Sequence, residues 1–232
     1  MQHTFTSTPV RLVVFDMDGV IVDSTEVMRQ AFSTAYAEVV GPGEPPFTEY
    51  NRHLGRYFPD IMRLMDLPLA MEEPFVRESY RLAHLVPMYD GVEELLHTLR
   101  AGGIRLAVAT GKSGVRARSL LGQLGILDLF DLVVGGDEVA RAKPAPDMVR
   151  RALDELGIRP QQAIMVGDAV TDLASAHAAG VRAVAAVWGP GDEAELRAAG
   201  ADMVAREAFD ILRWCVPTEA RTAAAAAGPV AS

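Results

Sequence analysis

Short aliphatic runs recur along the chain, and most of them end in Gly, Asp or Thr. Six runs of this kind are present: RLVVFD (11–16), IRLAVAT (104–110), FDLVVGGD (130–137), QAIMVGD (162–168), RAVAAV (182–187) and, more weakly, ADMVA (201–205). Their near-continuous hydrophobicity is typical of strands that are covered on both faces of a parallel sheet. From about residue 90 onward, amphipathic helical patterns that mostly close with Gly separate the runs. The alternation predicts an α/β fold with a doubly wound, Rossmann-like parallel sheet.

The first run is followed by a long stretch without another strand pattern. This stretch instead has the pattern of helices, STEVMRQAFSTAYAEVV, FPDIMRLMDL and MEEPFVRESYRLAHLV, with a Gly/Pro-rich break after the first. An all-helical insert of about 70 residues is too long for a simple connection, and it predicts a second, smaller domain.

We therefore divide the chain into three parts. The predicted parts are a Rossmann-like catalytic core (1–19 and 90–214), an inserted helical cap domain (20–89) with hinges near 19–24 and 87–91, and a low-complexity tail (217–232). The tail is rich in Ala and has little to bury, so we expect it to be disordered.

Net charge and composition limit the kinds of binding partner and the cellular location that we expect. The chain has 22 Lys and Arg residues against 31 Asp and Glu residues, a net charge of −9. This excess of acid argues against nucleic acid or an anionic membrane as a partner, although a local site for a small anion remains compatible with it. Residues 1–10 lack the pattern of a signal peptide, and no apolar run reaches membrane-spanning length, so we expect a cytoplasmic protein.

Polar side chains stand where the predicted strands end. In an open parallel sheet, ligands bind outside the carboxyl ends of the strands. The residues placed there are two acids after the first strand, a Thr-Gly-Lys after the second, a lysine after the third and two acids after the fourth: Asp16, Asp18, Thr110, Gly111, Lys112, Lys143, Asp168 and Asp172. We expect these residues to converge on one edge of the sheet.

The four acids suggest a metal site. Asp16 and Asp18 point the same way on an extended segment, and Asp168 and Asp172, four residues apart, share one face at the start of a helix. Several carboxylates in one cleft repel each other unless a cation lies among them. Oxygen ligands of this kind suit Mg²⁺, which leaves coordination positions for water and a substrate phosphate. The sequence therefore predicts Mg²⁺ as the cofactor.

The remaining polar groups suit a phosphoryl group. The Thr110 hydroxyl, the Gly111 amide and the Lys143 ammonium supply hydrogen bonds and positive charge for phosphoryl oxygens, and a helix that begins near Ser113 adds its N-terminal dipole. One aspartate can attack phosphorus, while a neighbouring carboxyl protonates the leaving alkoxide and then activates water. We expect a small phosphorylated molecule as substrate.

The motifs resemble those of a known family. DMDGVIVDS, Thr110 in VATGKS, Lys143 in KPAPD, and GDAVTD stand in order over residues 11–190, and together they resemble the haloacid dehalogenase superfamily of phosphatases. The helical insert is similar to the cap of the phosphoglycolate phosphatase and β-phosphoglucomutase branch.

The resemblance implies a role for each acid. Asp16 would be the nucleophile, and Asp18 the general acid and base, with its backbone carbonyl also on Mg²⁺. Asp168 would be a metal ligand, and Asp172 a ligand directly or through water.

The cap suggests a narrower resemblance. The stretches VVGPGEPPFTEYNRHLGRYFPDIM and MEEPFVRESYRLAHLVP resemble phosphatase-like proteins associated with 3-amino-5-hydroxybenzoate synthesis in ansamycin producers, which would imply a phosphorylated sugar or aminosugar. Arg56 and His53 in the cap could contact the substrate's distal groups, and Lys112 could contact phosphate or face solvent.

Other functions stay open at this point. A phosphosugar mutase of the β-phosphoglucomutase type would share the nucleophile but return the phosphoryl group to the substrate, and a non-enzymatic binding protein could use the same fold. All core acids are present, which argues against the binding protein. The resemblance favours water over a sugar hydroxyl as the acceptor, because hydrolases of that branch typically carry the Gly-Asp pattern of GDAVTD, whereas its β-phosphoglucomutases tend to have Glu-Asp there and Ser in place of Thr110. The oligomeric state cannot be read from the sequence.

Overall fold

A six-stranded parallel sheet forms the centre of the molecule. The computed structural model describes residues 8–215, and the predicted tail at 217–232 lies outside them. Each of the six aliphatic runs forms a strand: β1 (Leu12–Phe15), β2 (Arg105–Thr110), β3 (Leu132–Gly135), β4 (Ala163–Gly167), β5 (Arg182–Ala186) and β6 (Met203–Ala205). All neighbouring strands are parallel and their order is β3-β2-β1-β4-β5-β6. The predicted Rossmann-like fold class is confirmed.

Helices connect the strands and fill the interval after β1. The α-helices are α1 (Thr25–Val39), α2 (Phe47–Asn51), α3 (Phe58–Leu64), α4 (Glu72–Arg81), α5 (Val92–Ala101), α6 (Gly114–Gln123), α7 (Asp147–Leu156), α8 (Val170–Ala178), α9 (Glu193–Ala198) and α10 (Leu212–Cys215). Short 3-10 helices lie at Leu69–Met71, Ala83–Leu85, Leu127–Leu129, Gly136–Glu138, Pro160–Gln162 and Ala208–Ile211. None of the helices within residues 8–215 is long and apolar enough to cross a membrane.

The sheet is buried on both faces, which explains the unbroken hydrophobic runs. Along β1, Val13 and Phe15 belong to one hydrophobic cluster, whereas Leu12 and Val14 belong to the cluster on the opposite face. Successive side chains of a strand point to opposite faces, so a strand without a solvent face needs apolar residues at every position.

The strand order places the end of β1 at the point where the chain direction across the sheet reverses. Phe15 is level with Val108 of β2 and Val166 of β4, so the residues that follow these strands meet at one edge. This crevice is where an open α/β sheet binds its ligands.

The helical interval has a hydrophobic core of its own. Helices α1 to α4 bury a cluster of aromatic and sulfur-containing side chains that includes Phe32, Tyr50, Met62 and Phe75, separate from the two clusters of the sheet. The two connections to the sheet lie side by side: the amide of Asp23 donates to the carbonyl of Pro87 (3.0 Å), and the amide of Tyr89 to that of Ile21 (3.1 Å). The division at residues 20 and 89 stays a prediction, and we refer to α1–α4 as the helical cap.

Candidate active site

A buried lysine joins two of the predicted acids. Lys143 extends its ammonium to the end of β1, where Nζ lies 2.8 Å from Asp16 Oδ1 and 2.7 Å from Asp172 Oδ1. All three side chains are buried. Burial alone would lower the pKa of Lys143, but the two carboxylates outweigh it and raise that pKa. The lysine is therefore a fixed positive charge at the centre of the site.

A third acid completes a cluster of carboxylates. Asp168 follows β4, and one oxygen each of Asp16, Asp168 and Asp172 lies within 4.8 Å of the others. Gly19, at φ +80°, packs so close to Asp168 that a Cβ at this position would collide with the carboxylate. Burial and the negative charge of Asp172 raise the pKa of Asp16 to about 7, even though Lys143 opposes the shift. Burial and the negative charges of Asp172 and Asp16 raise the pKa of Asp168.

The raised pKa values of Asp16 and Asp168 indicate that burial and the neighbouring carboxylates together outweigh the charge of Lys143. The donor set fits a hard divalent cation, since carboxylate oxygens are the ligands that Mg²⁺ takes in proteins and its charge would relieve the repulsion. Both oxygens of Asp172 already accept hydrogen bonds, Oδ1 from Lys143 and Oδ2 from the amide of Ala169 (3.1 Å). Asp16 and Asp168 therefore have the oxygens that are freer to bind a metal.

Asp18 lines the same cavity as Asp16 but has partners of its own. Its carboxylate forms an ion pair with Lys112, whose Nζ lies 2.6 Å from Oδ1 and 2.7 Å from Oδ2, and it accepts a short hydrogen bond from the Ser24 hydroxyl. Burial would raise the pKa of Asp18, but the pairing with Lys112 and Ser24 prevails and holds it below its usual value. Lys112 thus neither faces solvent nor stands free for a phosphate in this conformation, and Ser24 binds Asp18 instead of capping α1.

The end of β2 lies under a loop of the cap. Thr110, the last residue of β2, is fully buried, and its hydroxyl accepts a hydrogen bond from the amide of Lys112 (3.2 Å). The next residue, Gly111, packs against the backbone of Gly55 and Arg56, and a Cβ at Gly111 would collide with the carbonyl oxygen of Arg56. Gly111 thus allows the cap backbone to approach the sheet edge.

The geometry agrees with comparisons to known proteins. Residues 13–186 match the family described as haloacid dehalogenase-like hydrolase. The chain belongs to this family. A phosphoglycolate phosphatase of Rhodospirillum rubrum is 36% identical over 199 residues, which are 77% of this chain and 80% of that protein.

Solved structures of this hydrolase family share the fold. The crystal structure of a predicted phosphoglycolate phosphatase from Haemophilus somnus 129PT superposes with a TM-score of 0.77 at 24% identity, covering 88% of this chain and 97% of that one. A structure from Thermotoga maritima assigned as a β-phosphoglucomutase gives a TM-score of 0.69 at 25% identity, covering 88% of this chain and 99% of that one.

In this hydrolase, the predicted cap residues differ in position. Arg56 lines a cavity that also contacts Asp16, Asp18 and Lys112. His53 does not line this cavity, and its Nε2 lies 3.3 Å from Glu49 Oε1. The predicted contact of His53 with substrate therefore finds no support in its neighbours.

Arg116 lines the same cavity and was not among the predicted residues. It lies on α6, on the face that also buries Ala117, Leu120 and Leu121. An arginine in an otherwise apolar stripe at helical spacing is the sequence signal that could have identified it. Ser24 was not among the predicted residues either, and nothing in its spacing indicates a hydrogen bond to Asp18.

Proposed function

We propose that this hydrolase is a Mg²⁺-dependent phosphatase that hydrolyses a small phosphomonoester through an aspartyl-phosphate. The observation that carries the proposal is the cluster of Asp16, Lys143, Asp168 and Asp172 at the reversal point of the sheet, roofed by the helical cap. A nucleophilic carboxylate, a fixed ammonium and further carboxylates for a cation are what phosphoryl transfer requires.

In the first half of the reaction, a carboxylate oxygen of Asp16 attacks phosphorus. The new bond joins Asp16 oxygen to phosphorus, the bond from phosphorus to the alcohol oxygen breaks, and the alkoxide takes a proton from Asp18. Lys143 keeps Asp16 in position and offsets the negative charge of the phosphoryl oxygens. Because the ion pair with Lys112 favours the ionised form of Asp18, this contact must loosen when Asp18 carries the proton.

In the second half, the ionised carboxylate of Asp18 removes a proton from water. The resulting hydroxide attacks phosphorus, the bond to Asp16 breaks and inorganic phosphate leaves, which restores the Asp16 carboxylate. Lys112 and Ser24 favour this ionised form of Asp18, so the closed arrangement in the structure suits the hydrolytic half.

A bound Mg²⁺ would neutralise charge between the anionic nucleophile and the anionic substrate. Asp16 and Asp168 would hold it directly, together with the backbone carbonyl of Asp18. Asp172, whose oxygens accept bonds from Lys143 and Ala169, fits a ligand that acts through water.

The substrate class is a small phosphomonoester. A phosphoglycolate-like molecule is supported by the named activity of the Rhodospirillum rubrum relative. A sugar or aminosugar phosphate of the 3-amino-5-hydroxybenzoate route rests only on the likeness of the cap stretches, and the relatives add no support to it. A cytoplasmic location and the lack of a nucleic-acid partner also stay predictions from the sequence.

A phosphosugar mutase is the second candidate, supported by the likeness to the Thermotoga maritima structure. A phosphatase and a mutase form the same aspartyl-phosphate and differ in its acceptor, which is water in the phosphatase and a sugar hydroxyl in the mutase. Incubation with β-glucose 1-phosphate, followed by phosphorus NMR, distinguishes them. We expect free phosphate to accumulate faster than glucose 6-phosphate, and the reverse order would make the protein a mutase.

The phosphoenzyme itself is the direct test of the proposal. Rapid quench with ³²P-labelled substrate should yield acid-stable label on Asp16 in wild-type protein. Asp18→Asn should slow turnover by about 10²- to 10⁴-fold, because it removes the acid and base, and label should persist longer on that variant. Turnover without any labelled protein intermediate would contradict the covalent mechanism.

A further inference from the structure

Arg116 occupies a position where the sequence would place an apolar residue. On α6, Val115 is 65% exposed, whereas the neighbouring Arg116 is only 8% exposed. Arginine is among the residues least often buried, and a buried arginine normally has an ionic partner. On this helix the valine therefore faces solvent, and the arginine faces the interior.

The guanidinium of Arg116 has no ionic partner among residues 8–215. No hydrogen bond or ion pair to another side chain or to the backbone satisfies it within that range. It lies over the ring of Phe75, whose centroid is 5.2 Å from the guanidinium carbon. Arg118, two residues later on the same helix, pairs with Glu138 at 2.6 Å. Burial lowers the pKa of Arg116, although the charge of Asp18 opposes the shift.

The position of Arg116 connects it with the reaction site. It lines the cavity that reaches Asp16 and Asp18, and it also lines a second cavity bounded by Ser24, Ser79, Tyr80 and Ser119. Lys112 and Met28 line both cavities as well, so the guanidinium stands between the nucleophile and a chamber with four hydroxyl-bearing residues. A substrate whose phosphoryl group lies against Asp16 would extend from the first cavity towards Arg116.

We propose that Arg116, held against Phe75, binds a second anionic group of the substrate, either a carboxylate or a second phosphate. An unpaired buried cation is costly to the free protein, and an anionic oxygen pair is the ligand that its planar fork fits best. Stacking on an aromatic ring presets the plane of the fork. The inference rests on the proposed phosphatase function and names the class of substrate that this site selects.

Pairs of substrates that differ by one anionic group provide the test. Phosphoglycolate is compared with 2-hydroxyethyl phosphate, and β-glucose 1,6-bisphosphate with β-glucose 1-phosphate. Wild-type protein should prefer the more anionic member of at least one pair. A preference within the first pair would identify the bound group as a carboxylate close to the phosphoryl group. A preference within the second pair would identify it as a distal phosphate. Equal kcat/KM within both pairs would overturn the inference.

Two variants of Arg116 then locate the preference. Arg116→Met should lower kcat/KM for the preferred anionic substrate by about 30-fold or more, chiefly through KM, and leave its less anionic partner within about threefold. Arg116→Lys keeps the charge but lacks the planar fork, so its kcat/KM for the preferred anionic substrate should lie between the values of wild-type protein and Arg116→Met. Because Arg116→Met removes an unpaired buried cation, its Tm should equal or exceed that of wild-type protein. Equal losses on both members, or no loss on either, would overturn the inference.

A control variant and a binding measurement distinguish failure of this inference from failure of the proposed function. Arg29→Met replaces an exposed arginine of the cap that pairs with Glu26, and it should change neither member of a pair. If wild-type protein releases no phosphate from any substrate, the proposed function fails. Calorimetric binding of the same pairs to Asp16→Asn protein, with and without Arg116→Met, then still decides whether Arg116 selects the anion.

Discussion

The sheet edge and the helical cap contribute to the site in different ways. At the edge, charged side chains bind one another: Lys143 holds Asp16 and Asp172, and Lys112 holds Asp18. The cap contributes mainly a backbone loop at Gly55 and a wall of apolar and aromatic side chains. The edge is thus built to fix reacting groups, whereas the cap is built to enclose and select what reaches them.

The two regions also differ in what holds them together. The strands are buried by helices on both faces, whereas the cap relies on aromatic stacking, with Phe58 and Phe75 centroids 4.0 Å apart and Phe32 and Tyr50 4.6 Å apart. The cap core is separate from the cores of the sheet, and two adjacent connections join the regions. This arrangement allows the cap to move as a unit.

Closure of the cap leaves little space in the site. The cavity that contains Asp16 and Asp18 has a volume of about 30 Å³, which accommodates about two water molecules. A phosphomonoester is larger, so we expect the cap to open for substrate entry and to exclude bulk water afterwards. The predictions below perturb first the edge and then the cap.

Removing the nucleophile should have the largest effect. Asp16→Asn should lower kcat on the order of 10⁴-fold or more, because an amide neither attacks phosphorus nor carries the charge of a metal ligand. Phosphate release measures the loss, and Asp154→Asn, at an exposed position of α7, is the matched control. Activity within tenfold of wild-type protein would exclude Asp16 as the nucleophile.

Removing metal should have the next largest effect. Exhaustive EDTA treatment should lower activity about 10³-fold, and Mg²⁺ should restore it, since charge neutralisation at the phosphoryl group is worth several kcal/mol. Undiminished turnover in excess EDTA would contradict a metal site.

Stability of the metal-free protein should depend on pH in a defined direction. The pKa of Asp16 is raised to about 7, so between about pH 4 and pH 7 the folded protein binds more protons than the unfolded chain. The free energy of unfolding therefore falls as pH rises through this range. Mg²⁺ should accordingly raise Tm more at pH 8 than at pH 5.5, measured by calorimetry, and a larger shift at pH 5.5 would argue against binding at these carboxylates.

A change at the contact between the two regions should have an intermediate effect. In Gly111→Ala, the new methyl group collides with the carbonyl oxygen of Arg56, so the cap loop cannot seat on the sheet edge. We expect kcat/KM to fall by about 10- to 100-fold, the cost of a displacement near 1 Å at a reacting group. Gly122→Ala on α6, where a Cβ meets only Leu127 at 3.9 Å, should leave activity unchanged. Equal activity of the two variants would show that this contact does not govern closure.

A side chain of the cap should have the smallest effect. Arg56→Met should change the preference among phosphorylated substrates by about three- to tenfold and leave hydrolysis of a small aryl phosphate nearly unchanged, because a charge that is only half-buried contributes about 1 kcal/mol. Arg52→Met, at a residue paired with Glu49 on the outer surface, is the control. Uniform losses on all substrates would assign Arg56 to structure instead.

Much of the sheet and its edge could be predicted because the signals are local. A strand buried on both faces must be apolar at every position, so β1, β2 and β4 are visible as continuous runs. The acids that end such runs must leave the core at the same edge when the strands are parallel. The meeting of Asp16 and Asp168 follows from these two facts, and Asp172 joins them because it lies four residues after Asp168 at the start of a helix.

Tertiary structure alone decided which charged groups pair across the site. The ion pair between Asp18 and Lys112 joins residues 94 positions apart, and the contact of Arg116 with the ring of Phe75 joins α6 to a helix of the cap. Sequence patterns report the environment that a residue's near neighbours create. They do not report which distant side chain fills the remaining space, because that depends on the relative placement of separately formed elements.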